Sequence, residues 1–379
     1  MSDFSVSPRI AILGTRGIPA SYGGFETFAE ELSTRLVENG VEVTVYCEDP
    51  GGSPATSYKG VDLRYIPSTP FGPLTSVLFD VRCLWDARRA FSVVYLLGYG
   101  AAQFCFIPRL FGRQVWLNVD GIEWMRAKWG RLARIYLKAM EFFSTLFPSR
   151  VIADAEGIRQ HLVARHRRMP PCTVIPYGAP VIETAPEVGL LGEWDLRPWR
   201  YYLVVCRMEP ENHVREIVEG FIASDSLYPL IIVGDHRADT DFARGLICLA
   251  SDRIRFIGTV FEKPKLQSLR YHCSAYFHGH SVGGTNPSLL EAMGCGNVVL
   301  AHDNLFNREV LLEDGRFFEN AEAISNLIQE IEVMSAQDRK DLSDCVKLRI
   351  RTAYSWDLIA DSYLRLLDEV LDIGLPENS

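Results

Sequence analysis

The sequence predicts an α/β protein of two Rossmann-like, doubly wound domains facing each other across a cleft, and three observations predict it. The chain has 379 residues, more than one hydrophobic core usually organises, so two domains of about 150 to 200 residues are expected. Short apolar runs alternate with segments of helical periodicity, the pattern of a parallel sheet covered on both faces. That alternation occurs twice, interrupted between Pro180 and Pro198 by a proline-bearing stretch with few apolar pairs.

The first run, Arg9 to Leu13, stops at Gly14, and Gly17, Pro19, Gly23 and Gly24 then supply a long glycine-bearing turn. From Phe25 the apolar positions Phe25, Phe28, Ala29, Leu32 and Leu36 recur at helical spacing until Gly40, after which Val41, Val43 and Val45 alternate as in a strand. Further strands are expected at Val61 to Ile66, Val93 to Leu97, Gln114 to Asn118, Val151 to Ala153 and Thr173 to Ile175, with a helix near Ser76 to Ala90. The second series runs through Tyr201 to Val205, Leu230 to Val233, Ile254 to Ile257, Ala275 to His278 and Val298 to Ala301. A last helix, Trp356 to Asp372, carries Leu358, Ile359, Tyr363, Leu366, Leu367 and Val370 on one side and is expected to pack back on the first domain. The domains are therefore read as residues 1–185 and 186–355, with 356–379 as the returning helix.

The composition, 47% hydrophobic and 23% charged, is that of an ordinary soluble globular protein. No run reaches the roughly 18 apolar residues of a membrane span, and the N-terminus lacks the order of a secretion signal, so a cytoplasmic protein is expected. The cysteines are scattered singly, without C-x-x-C pairs, as small buried hydrophobes in a reducing compartment would be. Net charge is −9, divided as 20 Lys and Arg against 17 Asp and Glu through Pro186, and 19 against 31 beyond it. An acidic chain argues against nucleic acid as a partner, while the basic first half leaves that domain free to meet an anion.

The strongest local signal is the run from His278 to Gly294, HGHSVGGTNPSLLEAMG, a glycine-rich turn after a strand and before a helix that Pro287 starts. Gly283, Gly284, Thr285, Asn286 and Ser288 are expected to cradle a diphosphate on backbone N–H groups, with Glu291 accepting from ribose hydroxyls. The bland reading is a tight turn with a solvated Glu. A second signal is the run from Tyr202 to His213, YLVVCRMEPENH, whose strand delivers Arg207, a guanidinium able to fork two phosphate oxygens. A lone Arg after a strand is as often a surface ion-pair partner. Near the N-terminus Gly23, Gly24 and Glu26 follow the first strand, without the G-x-G-x-x-G spacing of a dinucleotide site. Asn118-Val-Asp-Gly-Ile-Glu-Trp124 ends another strand and presents Asp120 and Glu123 to the same cleft, Asp120 either as a proton acceptor or as the cap of the next helix.

These runs resemble glycosyltransferase family 4, of the two-lobed GT-B fold, over nearly the whole chain. In that family a Glu-x7-Glu motif occupies the helix after the glycine turn; its second Glu, which binds the donor ribose, matches Glu291, and its first falls at Gly283. The family's Gly-Arg-Leu run and following Lys, which meet the diphosphate, correspond to Cys206, Arg207 and Asn212, so the Arg is kept and the Lys is not. Gly23, Gly24 and Glu26 resemble the family's Gly-Gly-x-Glu loop, which closes over the donor. The Asp-Gly pair at Asp120 and the GHSVGGTNPSLLEAMG variant resemble the subgroup that includes bacterial rhamnosyltransferases of polysaccharide assembly.

The resemblance implies a metal-independent, retaining transferase without a cofactor, using a nucleotide diphosphate sugar such as dTDP-L-rhamnose. Arg207, Asp120 and Glu291 would serve the reaction, and Glu26 and Glu123 a saccharide or lipid-linked acceptor. A nucleotide-sugar epimerase of the same fold and a non-catalytic nucleotide-sugar-binding protein stay open. Metal ligands are not expected: Asp239-Thr-Asp241 spells D-x-D just before a helix, where Asp is a common cap, and His161, His166, His236 and His272 fit no ligand spacing.

Between Trp124 and Lys138 the bases Arg126, Lys128, Arg131, Arg134 and Lys138 interleave with Trp124, Trp129 and other apolar residues, without an acid. Trp124, Arg126, Lys128, Trp129, Arg131 and Arg134 are expected to touch an anionic membrane peripherally at its inner face. The alternative is a solvated helix face with its aromatics in the core.

Overall fold

A computed structural model describes residues 8–20, 23–72, 74–236 and 240–372. The chain divides into two compact units, one made of Met1–Trp124, Trp129–Tyr177 and Trp356–Ser379, the other of Met125–Lys128 and Gly178–Ser355.

In the first unit the strands are β1 (Arg9–Leu13), β2 (Glu42–Glu48), β3 (Ser57–Tyr58), β4 (Val61–Ile66), β5 (Val93–Leu97), β6 (Gln114–Asn118), β7 (Arg150–Ala153) and β8 (Cys172–Val174). They lie in the order β3-β4-β2-β1-β5-β6-β7-β8, parallel except for β3 against β4. Central strands of such a sheet are covered on both faces, and every residue of β5 and all but Arg9 of β1 are buried. The helices are α1 (Gly24–Glu38), α2 (Thr75–Ala87), α3 (Phe106–Leu110), α4 (Arg131–Ser144) and α5 (Glu156–Arg165). Strand order reverses beside β1, so its carboxyl end and that of β5 border the switch point where open α/β sheets bind ligands. Gly14 stands there at φ +83, where a Cβ would lie 2.1 Å from the Leu97 carbonyl oxygen; only glycine lets the loop leave β1 so close to β5.

The second unit holds β9 (Tyr202–Val205), β10 (Leu230–Val233), β11 (Ile254–Gly258), β12 (Ala275–His278), β13 (Val299–His302) and β14 (Arg316–Phe318) in the order β11-β10-β9-β12-β13-β14, all parallel. Its helices are α6 (Val214–Ala223), α7 (Asp241–Ile247), α8 (Lys263–Tyr271), α9 (Pro287–Gly294), α10 (Leu305–Leu311), α11 (Ala321–Val333) and α12 (Ala336–Arg349). Tyr202, Val204, Phe221, Ile232, Phe277, Leu300, Ile324 and Ile328 are among its core residues. The switch point falls between β9 and β12.

Helix α13 (Trp356–Asp372) belongs to the first unit. Tyr363 OH lies 2.7 Å from Tyr95 OH, and the Phe28 ring meets those of Trp356 and Tyr363. Ile359, Tyr363, Leu366, Leu367 and Val370 are buried as their spacing predicts, whereas Leu358 is exposed.

The units part between Tyr177 and Gly178, earlier than the boundary at 185 read from composition. The reason is local: Ala179 N–H donates to Tyr354 O, and Ile182 N–H to Gly294 O, so the stretch read as linker is bonded into the second unit. Of the cysteines, Cys248 and Cys345 are exposed rather than buried. Among the described residues no helix is long and apolar enough to cross a membrane.

Candidate functional site

Two loops meet at the switch point of the second unit. After β9 the chain runs through Cys206 to the exposed Arg207, whose Nη1 is 3.7 Å from Glu209 Oε1. The other oxygen of Glu209 is 3.7 Å from Arg126 Nη1. Asn212 is buried, and its amide donates to the Arg207 carbonyl at 2.7 Å. The residue that stands where a Lys was expected is thus a strut that fixes the backbone carrying the arginine.

After β12, His278 is fully buried, and neither ring nitrogen has a hydrogen-bond partner among the described residues. Burial pushes it down to about 3. Its ring stacks on that of His280 at 4.4 Å. Burial first, and then His278, Arg126, Arg207 and His213, hold His280 neutral far below the usual histidine range. His213 stacks on His302 at 3.9 Å, and its Nε2 lies 3.0 Å from Ser281 Oγ. The loop is thus crowded with cationic and imidazole groups, an environment that favours an anion. The meeting of His213, His280 and His302 was not anticipated from the sequence; the available signal was that each lies at or beyond the carboxyl end of a strand of the same sheet.

The turn into α9 corrects one expectation. Asn286 caps the helix, its Oδ1 accepting from Ser288 N–H at 2.9 Å, while its carbonyl takes the N–H groups of Leu289 and Leu290. The helix-start donors expected to meet phosphate are therefore engaged. Those of Gly283 and Gly284 have no acceptor among the described residues. Gly283 stands at φ +138, a conformation that side-chain-bearing residues avoid. Thr285 is buried.

Ser288 is likewise turned inward. Its Oγ lies 2.6 Å from Tyr276 OH and accepts from Arg270 Nη2 at 3.1 Å, so it braces α9 against β12 and α8. The same Nη2 is 2.6 Å from Glu291 Oε2. Arg270 is buried, and its proton is held more tightly than usual: burial works against the charge, and the Glu291 carboxylate together with Tyr276 and Cys295 outweighs it. Glu291 keeps Oε1 without a partner among the described residues.

In the first unit, Gly23 precedes α1 at φ +124, Gly24 opens the helix, and Glu26 Oε1 accepts from Arg16 N–H at 3.2 Å; Ser21 and Tyr22 lie outside the described residues. Asp120, past β6, adopts φ +42, a left-handed conformation that costs a non-glycine residue about 1 kcal/mol or more. No helix starts at Asp120, so it is not a cap. It is held by a chain of hydrogen bonds from α13: Tyr363 OH to Tyr95 OH at 2.7 Å, Asn118 Nδ2 to Tyr95 OH at 3.3 Å, Asp120 N–H to Asn118 Oδ1 at 2.8 Å, and Tyr177 OH to Asp120 Oδ1 at 2.7 Å. Burial, then the Asp120 charge, drives the Tyr177 hydroxyl well above its usual range, so it stays a donor. Glu123 N–H donates to Tyr99 OH at 2.8 Å.

Three of the six residues expected at a membrane surface are turned in. Trp124 donates its indole N–H to the buried Glu141 at 2.6 Å, with Lys138 and Arg165 over its ring at 4.5 and 5.1 Å. Trp129 is half-buried, its indole 3.4 Å from Glu123 Oε1. Arg126, paired with Glu209, is counted with the second unit. Lys128, Arg131 and Arg134 are exposed. Asp239 of the D-x-D string lies outside the described residues; Asp241 pairs with Arg244 at 2.5 Å, and the cap of α7 is Thr240.

Residues 8–180 match a family profile described as "Domain of unknown function (DUF1972)". No curated protein sequence matches the chain. Among solved structures it is similar to sucrose-phosphate synthase from Thermosynechococcus elongatus, with TM-score 0.79 and 17% identity over 97% of this chain and all of that one. It is similar also to Anabaena Alr3699/HepE in complex with UDP and glucose, with TM-score 0.74 and 16% identity over 96% of this chain and 100% of that chain. A third is trehalose 6-phosphate synthase from Burkholderia multivorans, with TM-score 0.71 and 11% identity over 97% and 98% of the two chains. At these identities the likeness establishes the two-domain GT-B fold.

Proposed function

We propose that the chain is a family 4 type glycosyltransferase, in which the second unit holds a nucleotide diphosphate sugar and the first an acceptor hydroxyl. The observation that carries the reading is the set of groups at the β9/β12 switch point: Arg207, the N–H groups of Gly283 and Gly284, and Glu291 held by Arg270. The first three suit a diphosphate and the last a pentose hydroxyl. Glu291 has one oxygen held by Arg270 and one left to accept from the pentose. The resemblance of the Asp120-Gly121 pair and of the run from Gly279 to Gly294 to rhamnosyltransferase sequences favours a dTDP-sugar, with L-rhamnose as the group transferred and a saccharide or lipid-linked saccharide of bacterial cell-surface polysaccharide as acceptor. That HepE was solved with UDP and glucose adds to the case for a nucleotide-sugar ligand.

In the reaction the acceptor oxygen bonds to the anomeric carbon as the bond to the diphosphate breaks. The electron pair of that bond leaves with the diphosphate, whose oxygen takes the hydroxyl proton, and attack on the face being vacated retains the configuration. Arg207 and the glycine N–H groups meet the charge that builds on the leaving group, and Asp120, fixed by Tyr177, holds a sugar hydroxyl. No metal enters this scheme. Calorimetric titration with dTDP, UDP and GDP sugars in excess EDTA tests it: the dTDP-sugar should bind without added cation, and Glu291→Gln should weaken it. Binding of none of them, or binding only with magnesium or manganese, contradicts the reading.

A further inference from the structure

Helix α4 carries two apolar faces. The unit's core takes Leu137 and Met140, together with Glu141 and Ser144. On the other side Leu132 is 84% exposed, Ile135 65%, Phe142 48%, and Leu146, just past the helix end, 42%. At about 100° per residue these four fall within an arc of roughly 80°. Scattered exposed apolar residues are ordinary; a row of them is not. The row is continued by α3, where Phe106 and Leu110 are exposed and the rings of Phe106, Phe147 and Phe143 form a chain with centroids 5.8 and 5.4 Å apart.

Cations edge this row. Arg131, Arg134 and Lys138 lie together along one flank of α4 and are exposed, and Arg109 of α3 donates to the Phe147 carbonyl at 3.0 Å. Glu141, the helix's one carboxylate, is buried beneath Trp124, His161, Arg165 and His166, so α4 presents no negative charge. Fourteen residues make a rod of about 21 Å, too short to cross a bilayer and long enough to lie in its surface.

We infer that α4 is an interfacial helix that docks the first unit on an anionic bilayer. Leu132, Ile135, Phe142 and Leu146 enter the headgroup region while Arg131, Arg134 and Lys138 meet lipid phosphates. The contact is thus moved from the indoles of Trp124 and Trp129 to an aliphatic and phenylalanine stripe along α4 and just past its end. It does not depend on what the second unit binds.

Co-sedimentation of the full chain with phosphatidylcholine vesicles, with and without phosphatidylglycerol, tests the inference. The wild type should bind only the anionic vesicles, less as salt rises. Leu132→Gln with Ile135→Gln, and separately Arg131→Glu with Arg134→Glu, should each weaken binding about tenfold or more. Leu227→Gln, at a residue 89% exposed in the second unit, should change nothing. All of these positions are exposed, and unchanged melting curves will show that the variants fold. Failure of the wild type to bind anionic vesicles at low salt, or full binding by the Leu132/Ile135 variant, overturns the inference. So does light scattering that shows a dimer dissociated by that variant, which would make the stripe a contact between copies.

Discussion

Arg270 Nη2 and Glu291 Oε2 lie 2.6 Å apart, the guanidinium buried and the carboxylate half-buried. The pair joins α8 to α9 and leaves Glu291 a single open oxygen aimed by a fixed partner. Removing one member of a buried pair costs about 3 to 5 kcal/mol, and somewhat less where the other member is in reach of water. Arg270→Met should therefore lower the melting temperature and weaken nucleoside diphosphate binding, while Arg270→Lys recovers part of the binding. If Arg270→Met binds like the wild type, Glu291 is not positioned by this pair.

Arg207 is the exposed member of its site and makes only a 3.7 Å approach to Glu209, so its loss should spare the fold. A charge-assisted contact to phosphate contributes about 1.5 to 3 kcal/mol. Arg207→Ala should accordingly weaken nucleoside diphosphate binding by roughly ten- to a hundredfold with an unchanged melting curve. Titration calorimetry decides it, and equal affinity removes Arg207 from the diphosphate site.

Asp120 is held at φ +42 by Asn118 and Tyr177. Tyr177→Phe removes the hydroxyl that orients the carboxylate, at a cost near 1 kcal/mol to the fold. Turnover should fall while nucleoside diphosphate affinity in the second unit stays the same. Unaltered turnover in both Tyr177→Phe and Asp120→Asn would make the network structural only.

The buried His278 gives an acid limit to stability. It is neutral in the folded protein down to about 3 but takes a proton near 6.5 when unfolded. Below pH 6.5 the unfolded chain binds the extra proton, so stability falls as pH drops from there toward 3. Urea melts across that range should show a shallower decline for His278→Phe than for the wild type. Parallel slopes would mean that His278 is not the group responsible.

Most of the architecture was legible because it rests on local periodicity: β1, α1, β2, β5 and α13 follow from apolar spacing alone. The two-residue β3 and three-residue β14 carry no such pattern and were not anticipated. The positions of candidate residues were legible where a short loop leaves a strand, as at Arg207 and Asp120, or where such a loop runs into a helix, as at Glu291, and illegible where a residue's setting depends on a distant partner. Arg270 reads as an ordinary base in a polar helix until β12 and α9 fold over it. Trp124 reads as a surface anchor because Glu141, which takes its N–H, is a helix away. Periodicity marks α4 as amphipathic but does not say which of its stripes the core takes.

The most direct test of the whole account is release of nucleoside diphosphate from a dTDP-sugar, measured in excess EDTA with and without a saccharide acceptor. The account predicts acceptor-dependent release, with the sugar recovered on the acceptor, and loss of that release in Arg207→Ala and Glu291→Gln. Binding of the nucleotide sugar without release under any acceptor would point to a binding protein, and interconversion of the sugar without transfer to an epimerase; either result contradicts the account.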